Sequence, residues 1–202
     1  MTSTDATHDT RTGTVERPGT LHVAVIIGSV RSGRFGPTAA RWFAGELAGR
    51  DEVDVDLVDL AEHDVSPALD GAGPGPLRQR LDRADAFVVV TPEYNHSYPA
   101  GLKAVIDTFG REWAAKPVGF VSYGGVSGGL RAVEHLRGVF VELHGAPVRD
   151  GVSLHEFWNL FDDDGRLVDD GSAARAAGVL TDQLVWWARA LRDARTVQGY
   201  PG

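Results

Sequence analysis

Residues 21–27, LHVAVII, are an almost unbroken apolar and β-branched run that stops at Gly28, and a helix-compatible stretch begins a few residues later. A run without alternation reads as a strand covered on both faces in a parallel sheet. The unit is therefore strand, loop and helix start, and open α/β sheets deliver ligands at the carboxyl ends of such strands. The loop places Gly28, Ser29, Arg31, Ser32, Gly33 and Arg34 before a predicted helix of roughly three turns. The first N–H groups of that helix and its dipole favour an anion, and a phosphate is the natural occupant.

Two better-known phosphate motifs do not fit. Gly28 and Gly33 have the Walker spacing, but Arg34 and Phe35 stand where lysine and the magnesium-binding hydroxyl belong, which argues against a nucleotide triphosphatase. Ser29 and Val30 break the tight turn that a dinucleotide fingerprint needs. What remains is a hydroxyl and two guanidiniums around one phosphate.

The 202 residues suit one domain, and residues 20–195 are expected to form it. Residues 1–19 are polar with scarcely any apolar side chain and read as a disordered tail, and 196–202 as a C-terminal tail. The absence of cysteine excludes a thiolate nucleophile and a cysteine-based metal site, and the net charge of −8 argues against general nucleic-acid binding. With neither a signal-peptide core nor a membrane-length apolar stretch, the expected location is the cytoplasm.

Val53 to Val58 alternates apolar residues with aspartate and is expected near a sheet edge. DGAGPGP at 70–76 is a breaker cluster, after which Pro76 can start a short helix carrying Leu77 and Leu81. Ala86 to Thr91 is a third strand, opening into TPEYNHSYPAGLKAVID at 91–107, and Pro117 to Tyr123 is a fourth, running into a loop with glycines at 124, 125, 128 and 129. A helix to about Leu143, a strand around Ala146 to Ser153, an irregular excursion over 154–171 and a final helix from about Ser172 to Asp193, with Ser172 as N-cap, complete the pattern. The alternation predicts an α/β fold: a single doubly wound domain with a five-stranded parallel sheet in the flavodoxin-like order 2-1-3-4-5 and helices on both faces. In that order the three unusual loops meet in one cleft.

Three motifs in sequence, GSVRSGRFG at 28–36, TPEYNHSYPAGLKAVID at 91–107 and SYGGVSGG at 122–129, resemble the NADPH-dependent FMN reductase family of flavodoxin-like proteins, which includes flavin, quinone, azo-dye and chromate reductases. The resemblance runs from about residue 21 to the final helix. It implies that Ser29, Arg31, Arg34, Phe35 and Gly36 surround an FMN phosphate, although the family often has Ser or Thr at the position of Arg34 and Asn at that of Gly36. It places Pro92, Glu93, Tyr94 and Asn95 beside the isoalloxazine and Ser122, Tyr123, Gly124 and Gly125 at its pyrimidine edge.

The implied activity is hydride transfer from NADPH or NADH to FMN, then electron transfer to free flavin, a quinone or a similar small electrophile. Such chemistry is carried by the cofactor and needs no catalytic side chain of the protein. The alternatives are an electron-transfer flavodoxin and an FMN-binding regulatory module. The family implies a homodimer, with a tetramer and a flavin-dependent monooxygenase partner as further expectations. His96 stands open between proton donor or acceptor-pocket residue and a turn position. Trp113, Phe157 and Trp158 stand open between core, an oligomer interface and the rim of the site, and Trp186 and Trp187 are expected to divide between core and a partly exposed face. His63, His135, His144 and His155 lack a recognisable metal spacing. Asp162 to Gly165 resembles a calcium loop, but Arg166 and Ala173 fall where ligands belong, so a turn is expected and no metal.

Overall fold

The computed structural model describes residues 19–69, 73–168 and 171–202. The expectation of a disordered tail lies, but for Gly19, outside the described residues, as do the first three residues, 70–72, of the breaker cluster.

Strand β1 (Leu21–Ile27) is buried nearly throughout, as its unbroken apolar run requires, and leads into α1 (Gly36–Ala48). β2 (Val53–Asp59) lies at the sheet edge, where its alternating aspartates can reach solvent, and precedes α2 (Gly75–Arg83). β3 (Ala86–Pro92) is buried at every position and is followed by α3 (Ala100–Thr108). β4 (Pro117–Gly124), α4 (Leu130–Glu142), β5 (Ala146–Pro147), β6 (Val152–His155) and α5 (Ser172–Gln198) complete the described strands and α-helices.

The sheet runs β2-β1-β3-β4-β5 with all pairings parallel, and β6 pairs with β4 beyond β5. The expected fifth strand is thus split in two: Ala146–Pro147 pairs with the start of β4 and Val152–His155 with its end. Between them Gly151 brings the backbone so near that a Cβ there would lie 3.1 Å from the Phe120 carbonyl.

Alternating side chains of β1 and β3 feed two cores. Val88 and Val90 face α1 and α5, while Phe87 and Val89 face α2, α3 and α4. Trp113 belongs to the second core, wholly buried between Phe87 at 4.7 Å and Phe140 at 5.5 Å, so it covers no interface and rims no site. Trp186 and Trp187 do not divide between core and surface: both are exposed, at 63% and 42%, on α5 and packed edge to face on each other.

The last helix differs from expectation at both ends. Gly171, at φ +83°, is its N-cap and Ser172 its first residue, so the serine does not cap it. It also continues past Asp193 to Gln198, because Arg192 and Arg195 find partners across the N-terminal end of the sheet: Arg192 bonds the Thr20 carbonyl at 2.8 Å and Arg195 the Ala115 carbonyl. Beyond it, Tyr200 bonds His144 at 3.1 Å.

Candidate flavin site

At the carboxyl ends of β1, β3 and β4 the three glycine-rich or turn-rich loops enclose a cleft of about 350 Å³. Parallel register places them there. Ile27 pairs with Val90, and Thr91 and Pro92 pair with Ser122 and Tyr123, so the three strands end side by side.

The first wall is the loop after β1. Among the described residues the backbone N–H groups of residues 31–35 meet no protein acceptor, and they precede the first turn of α1, which has no side-chain cap. Arg31 forms no ion pair among the described residues, and its guanidinium lies 5.3 Å from the centre of the Tyr94 ring. Arg34 differs. It is tied to Asp59, which β2 places beside the end of β1, leaving its Nε buried without a partner. Ser29 is wholly buried and shares a 2.8 Å hydrogen bond with the Tyr94 hydroxyl, so it stands behind the cleft wall.

Gly36 also lies behind the wall. A Cβ there would meet Ile27 Cγ2 at 2.9 Å and the Tyr123 hydroxyl at 3.2 Å. Its N–H donates to that hydroxyl, while burial, followed by the neighbouring Tyr94, holds the Tyr123 phenol above the usual range against this pull.

The second wall is the loop after β3. Pro92, Glu93 and Tyr94 line the cleft, and Tyr94 bridges Ser97 through N–H···O bonds of 2.8 and 3.0 Å. Between them Asn95 and His96 occupy the left-handed region at φ +50° and +69°, the pattern of a tight hairpin turn that usually calls for glycine. Asn95 is a turn residue outside the cleft lining, and the His96 ring contacts Arg131 at the start of α4. Glu93 turns its carboxylate to the third loop, accepting from the Ser127 hydroxyl at 2.7 Å and the Arg131 N–H at 3.2 Å, with the Arg131 guanidinium 2.9 Å away.

In the third loop Gly124 and Gly125 line the cleft beside Tyr123, whereas Ser122 is buried and donates to the Gly128 carbonyl at 2.8 Å. Phe157 also lines it, packing on Phe35 at 4.5 Å and Tyr123 at 5.2 Å. The sequence signal for Phe157 was an aromatic cluster in an irregular excursion, which names no partner. Asp162 to Gly165 forms a turn closed by the Gly165 N–H to the Asp162 carbonyl at 2.9 Å.

The profile of a family described as NADPH-dependent FMN reductase matches residues 21–159. An NAD(P)H-dependent FMN reductase of Schizosaccharomyces pombe is 39% identical over 150 residues, covering 67% of this chain and 74% of the relative. A probable NADPH:quinone oxidoreductase of Oryza sativa subsp. japonica is 35% identical over 174 residues, covering 79% and 88%. Among solved structures, a flavoenzyme NAD(P)H:(acceptor) oxidoreductase from Paracoccus denitrificans shares the fold with a TM-score of 0.67 and 23% identity, over 85% of this chain and 98% of that one.

Proposed function

This chain belongs to the NADPH-dependent FMN reductase family, and from that premise we propose that it is an FMN-dependent NAD(P)H oxidoreductase passing two electrons to a small electrophile such as a quinone or free flavin. The observation that carries the reading is the convergence at the start of α1 of amides and an Arg31 guanidinium that meet no acceptor among the described residues, together with the orphaned Nε of Arg34. The Arg34 Nε is buried without an acceptor, which is costly, and an anionic group placed at this helix start would meet it together with the more exposed amides. A flavin phosphate fits that demand.

When bound, FMN supplies the atom that takes up hydride and releases electrons; the protein supplies position and electrostatics. Arg31 and the amides of residues 31–35 would grip the phosphate, with Arg34 held in place by Asp59. Tyr94 would border the ring system from β3, fixed by Ser29. Gly124 and Gly125, lacking side chains, would let the backbone approach a flat ring, and the packed Phe35 and Phe157 would shield one flank of it from water. The nicotinamide cofactor and then the acceptor would use the open face in turn, which predicts ping-pong kinetics.

The same proposal takes the protein as a cytoplasmic homodimer; among the described residues no helix is long and apolar enough to cross a membrane. FMN that leaves during turnover would supply a flavin-dependent monooxygenase, whereas retained FMN marks a quinone or azo reductase. Steady-state NADPH oxidation at several quinone concentrations tests the reading. Parallel double-reciprocal lines support it, and binding of FMN without any turnover would instead mark an electron carrier or a regulatory module.

A further inference from the structure

Phe157 and Trp158 follow each other in the chain but end in different surroundings. Phe157 lines the cleft against Phe35 and Tyr123, whereas Trp158 stands just outside the lining and is 58% exposed. The tip of its indole, Cη2, lies 3.6 Å from where a Cβ on the cleft-lining Gly125 would stand, and its ring packs edge to face on Phe157 at 5.2 Å. The backbone is bent to put it there. Glu156 is held at φ +45°, in the left-handed region that residues with a side chain seldom adopt, and its N–H meets the Gly125 carbonyl at 3.3 Å. The turn that follows is closed by the Asn159 N–H on the Glu156 carbonyl at 2.9 Å. Val126, next after Gly125, is 89% exposed. An aromatic and an aliphatic side chain thus reach solvent where the glycines of the third wall leave room for a flat ring.

Charge is unevenly spread around the cleft. The guanidiniums of Arg31 and Arg34 belong to the first wall, while Tyr123, Gly124, Gly125 and Phe157 on the third carry no formal charge, since burial holds the Tyr123 phenol in its neutral form. The Glu93 carboxylate is engaged by Ser127 and Arg131. Beside the indole in the chain stands the exposed carboxylate of Glu156, and the net charge of the protein is −8. An anion is therefore favoured at the first wall and disfavoured at the third. An uncharged planar ring gains from apolar contact with the indole and meets no opposing charge.

We propose that Trp158 is the specificity-determining residue for the electron acceptor, an exposed indole at the mouth of the cleft on which an uncharged fused-ring quinone stacks. The inference rests on the proposed FMN-dependent reduction. The overall reaction balances as NAD(P)H, one proton and the quinone giving NAD(P)+ and the hydroquinone, with both electrons from the hydride and the second hydrogen of the product from a solvent proton.

The test compares FMN-loaded wild type, Trp158→Phe and Trp158→Ala, with 2-methyl-1,4-naphthoquinone as the planar acceptor and ferricyanide as a small, highly charged one. The chain has no cysteine, so the quinone meets no thiol to which it could add. Equilibrium dialysis of the naphthoquinone against the oxidised proteins reads binding without turnover, and steady-state rates with NADPH read KM and kcat. Removal of the indole in Trp158→Ala should raise Kd and KM for the naphthoquinone roughly 5- to 30-fold while kcat changes little. The ratio of kcat/KM for naphthoquinone to that for ferricyanide should fall by the same factor. Trp158→Phe, which keeps a smaller ring, should recover most of both.

Unchanged Kd and ratio would make Trp158 an ordinary surface residue, and an equal fall for both acceptors would make its role structural. Weakened FMN affinity in Trp158→Ala would put the indole on the flavin, and a lower molar mass of that variant by sedimentation equilibrium would put it in a subunit interface. Each of these results would overturn the inference and leave FMN-dependent reduction standing. Wild type that oxidises NADPH with neither acceptor would overturn both.

Discussion

The Ser29 hydroxyl at the end of β1 and the Tyr94 hydroxyl at the end of β3 share a 2.8 Å hydrogen bond, which ties together the two strands between which the chain reverses its winding. Ser29 is wholly buried, so the phenol is what satisfies it. Tyr94→Phe would leave a buried hydroxyl without that partner, and the apoprotein should lose about 1–3 kcal/mol of stability by urea denaturation. Saturating FMN adds stability to each protein according to its own affinity, so the difference should stay the same where both bind FMN equally well and grow where Tyr94→Phe binds it less well.

The two arginines of the first loop should behave differently. Arg31→Ala removes a guanidinium with no ion pair among the described residues, and should weaken FMN binding by roughly 1.5–3 kcal/mol with little change in unfolding midpoint. Arg34→Ala leaves Asp59 unpaired and should lower stability as well as affinity. Fluorescence titration and thermal melting of the two variants separate these effects; unchanged FMN affinity in Arg31→Ala would remove Arg31 from the phosphate site.

Gly129 stands at φ +88°, and a Cβ there would lie 2.6 Å from Ser122 Cβ and 2.9 Å from the Tyr123 nitrogen. Gly129→Ala should therefore cost on the order of 1–3 kcal/mol through backbone strain, with a further cost from the clash, and should loosen the third wall. The observable is a lowered melting temperature accompanied by weaker FMN retention on desalting. Gly138→Ala, at a position where a Cβ meets nothing within 4 Å, should show neither.

Lys116 is nearly buried, donating to the Leu81 and Asp82 carbonyls at the end of α2 at 2.9 and 3.0 Å. Burial, and next the nearby Arg195, pull its amine down to about 8. The unfolded chain keeps this proton up to about pH 10.4, so between about pH 8 and that value it binds more protons than the folded state, and stability should rise with pH. Below pH 8 the contribution is flat. Comparing urea midpoints of wild type and Lys116→Met isolates it: the difference should shift toward wild type across that window, by at most about 3 kcal/mol.

The strands that build the cleft were readable because their burial is written locally. β1 and β3 are apolar at consecutive positions, which only a doubly covered strand explains, and β2 betrays its edge position through alternating aspartates. Side-chain roles decided by distant partners were not readable. Arg34 lines the cleft as its motif suggests, but that its guanidinium also meets Asp59, set beside Ile27 by the parallel register, could not be read locally. Ser29, Gly36, Asn95 and Ser122 belong to the motif stretches yet brace or turn the walls instead of lining the cleft. Trp113 offered no local sign of the Phe87 and Phe140 rings that seal it, and the division of the fifth strand depends on the approach of Gly151 to Phe120.

The most direct test of the account is the anaerobic visible spectrum of FMN-loaded, desalted protein before and after stoichiometric NADPH. The account predicts that flavin absorbance survives desalting and bleaches within seconds of adding NADPH. Flavin that is retained but stays yellow would contradict direct oxidation of NADPH, and with it the central claim.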